Sequence, residues 1–348
     1  MDNINKTKIS ILYVETKEIK ILDISRALDE IGYTVYRASL MLSMERYNKK
    51  ECQTMVNILK YCKVNYVITY DFSESIAQAC FETDIPYISW VYDSPQKELY
   101  THYAQYPSNY IFVFDKMQKK RMQEIGIKNV FYMPLAILPN KVQYILENES
   151  EEKEPTEIVF IGQLYKIDSL KKIVTEAEEK VRQSLEKNIE DICLCWDRDK
   201  SIHGNMEDIC IDYFSKIENG RILKQYPYMT EQLYYEAAVT SRLVANRERV
   251  TILNALAEKH NVKFYTKDRD TSQLNENISI LPPVKYDALT EIYRNSKINI
   301  NITLHCIESG VNQRVFDVMA AGGFMLSNYQ SELEELFVNG EEIVLYHN

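Results

Sequence analysis

The chain has 348 residues, 45% hydrophobic and 26% charged, with only 9 Gly and 9 Pro. That composition excludes a fibrous or mostly disordered protein, and the length suffices for two domains that each bury a core. Lys plus Arg 41 against Asp plus Glu 51 leaves a net charge of −10. This argues against a general binder of nucleic acid or anionic membrane, but not against one small anion held by a few placed basic groups. No apolar run approaches the length of a membrane span, and the opening MDNINKTKIS lacks the apolar core of a signal peptide. The 7 cysteines, an odd number scattered through apolar segments, read as reduced thiols, and the expected location is the cytoplasm.

From the N-terminus, short β-rich runs alternate with amphipathic stretches, the pattern of a parallel α/β sheet. Candidate strands are Ile9–Glu15, Thr34–Ala38, Tyr66–Tyr70, Tyr87–Tyr92, Tyr110–Phe114 and Val130–Pro134. Met55, Ile58, Leu59 and Cys62 recur at helical spacing between the second and third. NYVITYD, PYISWVYD and NYIFVFD form a weak internal series whose aspartates, Asp71, Asp93 and Asp115, are spaced by 22 residues, about the length of a βα unit with a short helix. The acidic ENESEEKEPTE then reads as a linker, giving domains at 1–146 and 158–348 with the linker at 147–157.

A second α/β pattern opens with Ile158–Ile161 and a turn at Gly162. One long helix is expected from about Thr230 to His260. Strands at VKFYT and ISIL, a helix at YDALTEIYRNSK and a strand starting at Ile298 follow. The helix NQRVFDVMAA, strand FMLSN, helix SELEELF and strand EEIVLYH complete the pattern. The reading is two Rossmann-like domains with a cleft between them.

In open parallel sheets ligands bind beyond the carboxyl ends of the strands. Asp71 with Glu74 and Asp115 with Gln118 have capping-box spacing, so helix capping is their ordinary role. Asp93 differs, because Ser94 and Pro95 after it already supply a cap and a first-turn residue. It is the candidate for catalysis or acceptor binding, against plain loop hydrogen bonding. In the second half a strand runs into Ser309-Gly310 and a helix opens near Asn312, a helix N-terminus suited to a diphosphate. Arg314 in its first turn offers a bidentate phosphate contact and Asp317 a ribose acceptor; the alternative is a solvated i,i+3 pair. Lys166, close to the Gly162 turn, is a further basic candidate, whereas Arg247 and Arg249 read as a charged helical face.

Two Asp-Arg-Asp triplets, Asp197–Asp199 and Asp268–Asp270, have the spacing of a divalent-cation site but read as acidic strand-end loops. Cys193 and Cys195 with His203 lack a matching second pair for zinc, and His305 is by default a core or loop histidine. No metal is expected.

SGVNQRVFDVMAAGGFMLSNYQSELEELF, with FIGQLY at Phe160–Tyr165 and YISWVYDSP at Tyr87–Pro95, resembles the CgeB-like (spore-maturation type) glycosyltransferases from about residue 9 to the end. The resemblance implies a GT-B fold of two facing Rossmann domains. The C-terminal domain would bind a nucleoside-diphosphate sugar and the N-terminal domain would present the acceptor. Carried over by position, Asp317 matches the second acid of a Glu-x7-Glu donor motif; the first falls at Ser309, with Glu308 one residue out of register. The resemblance also implies helices that cross back past the last strand, which are missing from a chain ending at Asn348. The expected function is metal-independent glycosyl transfer, with no cofactor beyond the donor and an acceptor that is protein, glycan or cell-surface precursor. Expected contacts are Gly162, Lys166, Ser309, Gly310, Arg314 and Asp317 for the donor and Asp93 for catalysis. A non-catalytic nucleotide- or glycan-binding partner and a nucleotide-sugar epimerase remain alternatives.

Overall fold

The computed structural model describes residues 9–15, 23–40, 46–137, 156–165, 168–194 and 205–347. Lys166, most of the acidic linker, the triplet at 197–199, Cys195 and His203 lie outside them. The chain divides into two compact units, Met1–Pro134 with Ile222–Thr230, and Leu135–Arg221 with Glu231–Asn348. Each unit holds a six-stranded, wholly parallel sheet, the α/β class expected from the alternation of short apolar runs and amphipathic stretches.

The first unit runs β1 (Ser10–Glu15), α1 (Asp23–Glu30), β2 (Thr34–Ser39), α2 (Lys49–Cys62), β3 (Tyr66–Tyr70), α3 (Glu74–Glu82) and β4 (Tyr87–Val91). Two 3-10 turns, Lys97–Tyr100 and His102–Gln105, lead to β5 (Asn109–Val113), α4 (Lys116–Glu124) and β6 (Val130–Tyr132). The strand order is β2-β1-β3-β4-β5-β6. Helix α2 starts where Asn48 accepts from the Lys50 and Glu51 amides and stops at Lys63 in the left-handed region. It buries Cys52, Met55, Val56 and Leu59. Its inward face is thus rotated from the one expected, and Ile58 and Cys62 lie at the margin.

The three related strands stack side by side, with Tyr70, Trp90 and Phe112 in register. Asp93 and Asp115 therefore occupy equivalent places, and Asp71 sits two residues earlier. That offset changes its role. Asp71 takes φ +55° and its carboxylate accepts the Tyr92 amide at 2.8 Å, while Ser73 caps α3 in its stead. Asp115 caps α4 as its spacing predicts, accepting from the Met117 and Gln118 amides at 2.8 and 3.2 Å. Ser94 is not a helix cap: its hydroxyl donates to Asp115 at 2.9 Å, and the next helical turn starts only at Lys97.

The second unit opens with β7 (Thr156–Ile161), α5 (Asp168–Glu176), α6 (Glu179–Leu194), α7 (Asp208–Glu218), α8 (Arg221–Gln225) and α9 (Glu231–Tyr235). A π-helical turn, Glu236–Thr240, joins α9 to α10 (Ser241–Ala257), so the helix expected from Thr230 to His260 forms from Glu231 to Ala257 with a π turn inside it. The buried Glu236 carboxylate accepts the Asn205 and Met206 amides, both at 3.0 Å, and so ties that turn to the segment before α7. Then come β8 (Val262–Tyr265), β9 (Ser279–Leu281), α11 (Tyr286–Arg294), β10 (Ser296–Asn301), α12 (Gln313–Ala320), β11 (Met325–Asn328), α13 (Ser331–Leu336) and β12 (Val344–Tyr346).

The order β12-β11-β10-β7-β8-β9 places the first and fourth strands of this unit at the centre, where the winding direction reverses. In open α/β sheets that reversal opens a crevice at the carboxyl ends of the two central strands. Strand β10 alternates accordingly. Ile300 and Ile302 enter the core formed with Phe160, Leu253 and Phe264, while Asn299 and Asn301 face the opposite side, buried and hydrogen-bonded.

Candidate functional site

The crevice lies where β7 ends at Gly162 and β10 ends at Asn301. Asn301 is fully buried, and its amide donates to Thr303 and Ser327, both at 2.9 Å. Its carbonyl oxygen accepts Asn312 Nδ2 at 3.0 Å and Arg314 Nη1 at 2.7 Å. Asn312 is the N-cap residue of α12 by backbone conformation, yet its side chain makes no capping bond, being held by Asn301 and Thr303. The first-turn amides of α12 therefore lack a side-chain cap and carry the positive end of the helix dipole. Asn312 Oδ1 is buried without a hydrogen-bond partner among the described residues.

Arg314 reaches back from α12 rather than pairing with Asp317. It also lies close to buried Tyr293, whose pKa burial pushes up to about 12 and Arg314 opposes. A Cβ placed on Gly162 would stand 3.3 Å from Arg314 Nη2 and 3.2 Å from the Phe160 ring. The absence of that carbon lets the guanidinium lie against the β7 turn. Asp317 accepts Gln313 Nε2 at 3.0 Å and the Tyr286 hydroxyl at 3.4 Å, so the solvated i,i+3 pair is not what forms.

A second cation occupies the same place. Arg249 of α10 is buried, and both its guanidinium and that of Arg314 lie 5.3 Å from the centroid of Phe160. Arg249 donates to the carbonyls of Gln163 and Ile302, the latter at 2.6 Å, while its Nε has no partner among the described residues. Burial pulls this guanidinium down to about 10; Tyr165 opposes that and Arg314 adds to it. Among the described residues neither arginine has a carboxylate ion-pair partner. Helix α10 also fixes both strand-end loops: Asn246 donates to the Leu164 carbonyl at 2.9 Å, Ser241 accepts the Cys306 amide at 3.1 Å, and Glu248 holds His305 at 2.7 Å.

Arg249 was readable as a surface charge and is the opposite. Ala245, Arg249, Leu253 and Ala257 form one i,i+4 row, and all four are buried. That row is the signal in the sequence, and Arg247, paired with Glu186 on the surface, shows what the ordinary reading fits. Glu332 is a second missed residue. Ser309, where the resemblance would place the first acid, donates to the buried Glu332 carboxylate of α13 at 2.7 Å. A carboxylate thus stands beside Ser309 although none occupies that position.

The structure brings Gly162 and Arg314 into contact, and places Asp317 on the same helix and Ser309 and Gly310 in the loop before it. Asp93 belongs to the first unit, where it is exposed after β4 and its carbonyl accepts Gln118 Nε2 at 3.1 Å. Asp268 is committed to its own loop, accepting from Thr266 at 2.9 Å and from the Leu164 amide, and Asp270 accepts from Ser272 at 2.7 Å. Among the described residues no three His, Cys, Asp or Glu side chains are grouped to hold a metal ion. No helix of the described residues is long and apolar enough to cross a membrane.

Residues 246–348, which include Arg249, Ser309, Arg314 and Asp317, match the model of a family described as glycosyl transferase-like. No curated protein matches the chain. Among solved structures, the chain is similar to the UDP-GlcNAc 2-epimerase from Methanocaldococcus jannaschii, at 10% identity and TM-score 0.47, over 97% of this chain and 89% of that one. It is also similar to sucrose-phosphate synthase from Thermosynechococcus elongatus, at 9% identity and TM-score 0.47, over 97% and 86%. A third is S. aureus MnaA with UDP, at 9% identity and TM-score 0.44, over 94% and 82%.

Proposed function

We propose that the protein is a glycosyltransferase of GT-B type that takes its sugar from a nucleoside diphosphate bound at the carboxyl ends of β7 and β10. One observation carries the reading. The uncapped N-terminus of α12 and the Arg314 guanidinium converge on the strand-order reversal, beside a turn where Gly162 leaves backbone room. The helix start has no side-chain cap and Arg314 adds a positive charge beside it, an arrangement that suits a diphosphate. The glycosyl transferase-like match over residues 246–348 supports the same reading for the same residues.

In this reading the α12 amides and Arg314 bind the diphosphate and stabilise the charge that grows on it as the glycosidic bond breaks, with no metal required. Asp317 accepts from the ribose hydroxyls. Arg249 acts from behind, holding the Gln163 and Ile302 carbonyls so that both loops keep their position. The first unit is the acceptor-side module, with Asp93 as the base that takes the acceptor hydroxyl proton.

The test is a thermal-shift and calorimetry panel of UDP, GDP, dTDP, CDP and ADP, with and without a divalent cation, on the wild type and Arg314→Ala. A selective, metal-independent rise in melting temperature for one diphosphate, lost in the variant, is the expected result. Products are then followed by mass spectrometry with the matching nucleotide sugar. Transfer or slow hydrolysis marks a transferase, and interconversion of the sugar marks an epimerase. Absence of any nucleotide response, or equal affinity in wild type and variant, overturns the proposal.

A further inference from the structure

The helical part of the second unit holds a cavity of about 160 Å³ that the nucleotide reading leaves unused. Its walls are apolar and aromatic: Leu170 and Ile173 from α5, Phe214 from α7, Tyr234 and Tyr235 from α9, and Val239 from the π turn. A void of roughly 150 Å³ lined by such side chains accommodates one benzene-sized ring. The π turn is part of its construction, since the extra residue in the helical ladder sets Ala238 and Val239 against the cavity. Such turns cluster at functional positions.

Two polar groups define what the ring must carry. The Tyr235 hydroxyl lies in a side chain only 2% exposed; Ser215 stands near it but donates to Glu231 at 2.5 Å, and the phenol has no close hydrogen-bond partner among the described residues. A buried hydroxyl left unpaired costs free energy that a ligand's polar group would recover. Burial raises the Tyr235 pKa to about 12, so it stays a neutral phenol able to donate. At the other end of the lining stands Arg242, exposed and without a carboxylate partner among the described residues. Glu218, the acid that also lines the cavity, is already paired with Arg221 at 2.8 Å. Tyr235 and Arg242 are seven positions apart, about 10 Å along a helix at roughly 1.5 Å per residue.

We propose that this cavity is a binding site for a single-ring aromatic carboxylate with a hydroxyl opposite the acid, the ring enclosed by Phe214 and Tyr234, the hydroxyl on Tyr235 and the carboxylate on Arg242. The site is independent of the nucleotide crevice, because none of its residues belongs to that crevice.

Titration calorimetry with 4-hydroxyphenylacetate as the probe tests it, with phenylacetate lacking the hydroxyl and p-cresol lacking the acid as comparators. The full probe should bind one per chain, and each comparator should bind about tenfold more weakly, the worth of one hydrogen bond to a charged or buried group. Arg242→Ala, on the exposed rim, should erase the preference for the probe over p-cresol. Ala238→Leu should fill the void and abolish binding of all three. UDP affinity should be unchanged in both variants, so failure here is distinguishable from failure of the nucleotide reading. No heat with any compound, or an unaltered preference in Arg242→Ala, overturns the proposal; the latter decides even where Ala238→Leu does not fold.

Discussion

The strand-end loops of the two units are built from similar residue types and end in opposite electrostatic states. In the first unit, the polar side chains of the loops after β3, β4 and β5 pair with one another. Gln96 exchanges two hydrogen bonds with the Phe72 backbone, at 2.9 and 3.0 Å, and its own amide donates to Gln118. Gln118 in turn donates to the Asp93 carbonyl, and Asp115 holds Ser94 and the first turn of α4. Three loops are thus sewn together by buried, mutually paired side chains. In the second unit the corresponding loops converge on two arginines and a helix start without a side-chain cap. A saturated network is a scaffold, whereas an excess of oriented donors is an offer to an anion.

The largest effect that would break this contrast is on stability. Arg249→Met should cost about 3 kcal/mol, because it leaves the half-buried Gln163 carbonyl and the buried Ile302 carbonyl without their donor. A urea midpoint equal to wild type would show that Arg249 is not the brace described. Arg314→Ala should act on binding instead, lowering nucleoside-diphosphate affinity by about 10- to 100-fold, with partial recovery in Arg314→Lys. In the first unit the pattern should invert. Asp115→Ala should cost about 1–2 kcal/mol through loss of the cap and should leave nucleotide affinity untouched. A change in affinity there would mean that the two sets of strand ends are not separate in function.

A smaller, pH-dependent effect sharpens the same point. Glu98, buried after β4, has its pKa raised to about 8 by burial, against the opposing charge of Lys97. The folded protein therefore holds this proton more tightly than the unfolded chain between the ordinary carboxyl range and about 8. The contribution of Glu98 to stability is full at low pH and falls as pH rises through that window. Glu98→Gln should remove that fall and raise the melting temperature at pH 9 more than at pH 5; equal shifts at both would refute it. The smallest effect is expected of Asp93→Asn, within about 0.5 kcal/mol of wild type because the side chain is exposed. Any loss of transfer in that variant, with nucleotide affinity unchanged, would then mark chemistry rather than structure.

Much of the fold was legible because short apolar runs and turn residues act locally. The strands from β1 to β6 and the segment from β10 to β12 stand within a few residues of their expected places. Asp115 was legible as a cap because a capping bond spans only three residues. Asp71 was not, because two residues of register between β3 and β4 turned its carboxylate to the Tyr92 amide. The long helix stands close to its expected place, but the π turn inside it was not legible, because it is tied by Glu236 to backbone amides some 30 residues earlier. At the candidate site the sequence pointed to Gly162, Ser309, Gly310, Arg314 and Asp317 through a glycine-bearing loop before a helix. It missed Arg249 and Glu332, whose roles rest on partners far along the chain.

What the sequence determined by itself was therefore the α/β alternation, the two sheets and the helix start that offers its amides, since each follows from periodicity and caps within one turn or one strand. What only the tertiary structure decided was strand order, and with it the crevice between β7 and β10. It also decided the desolvation of Arg249 and the redirection of Arg314 from Asp317 to Asn301. Those depend on which strands become neighbours, and burial and pairing energies act between residues that meet only when the sheet is assembled.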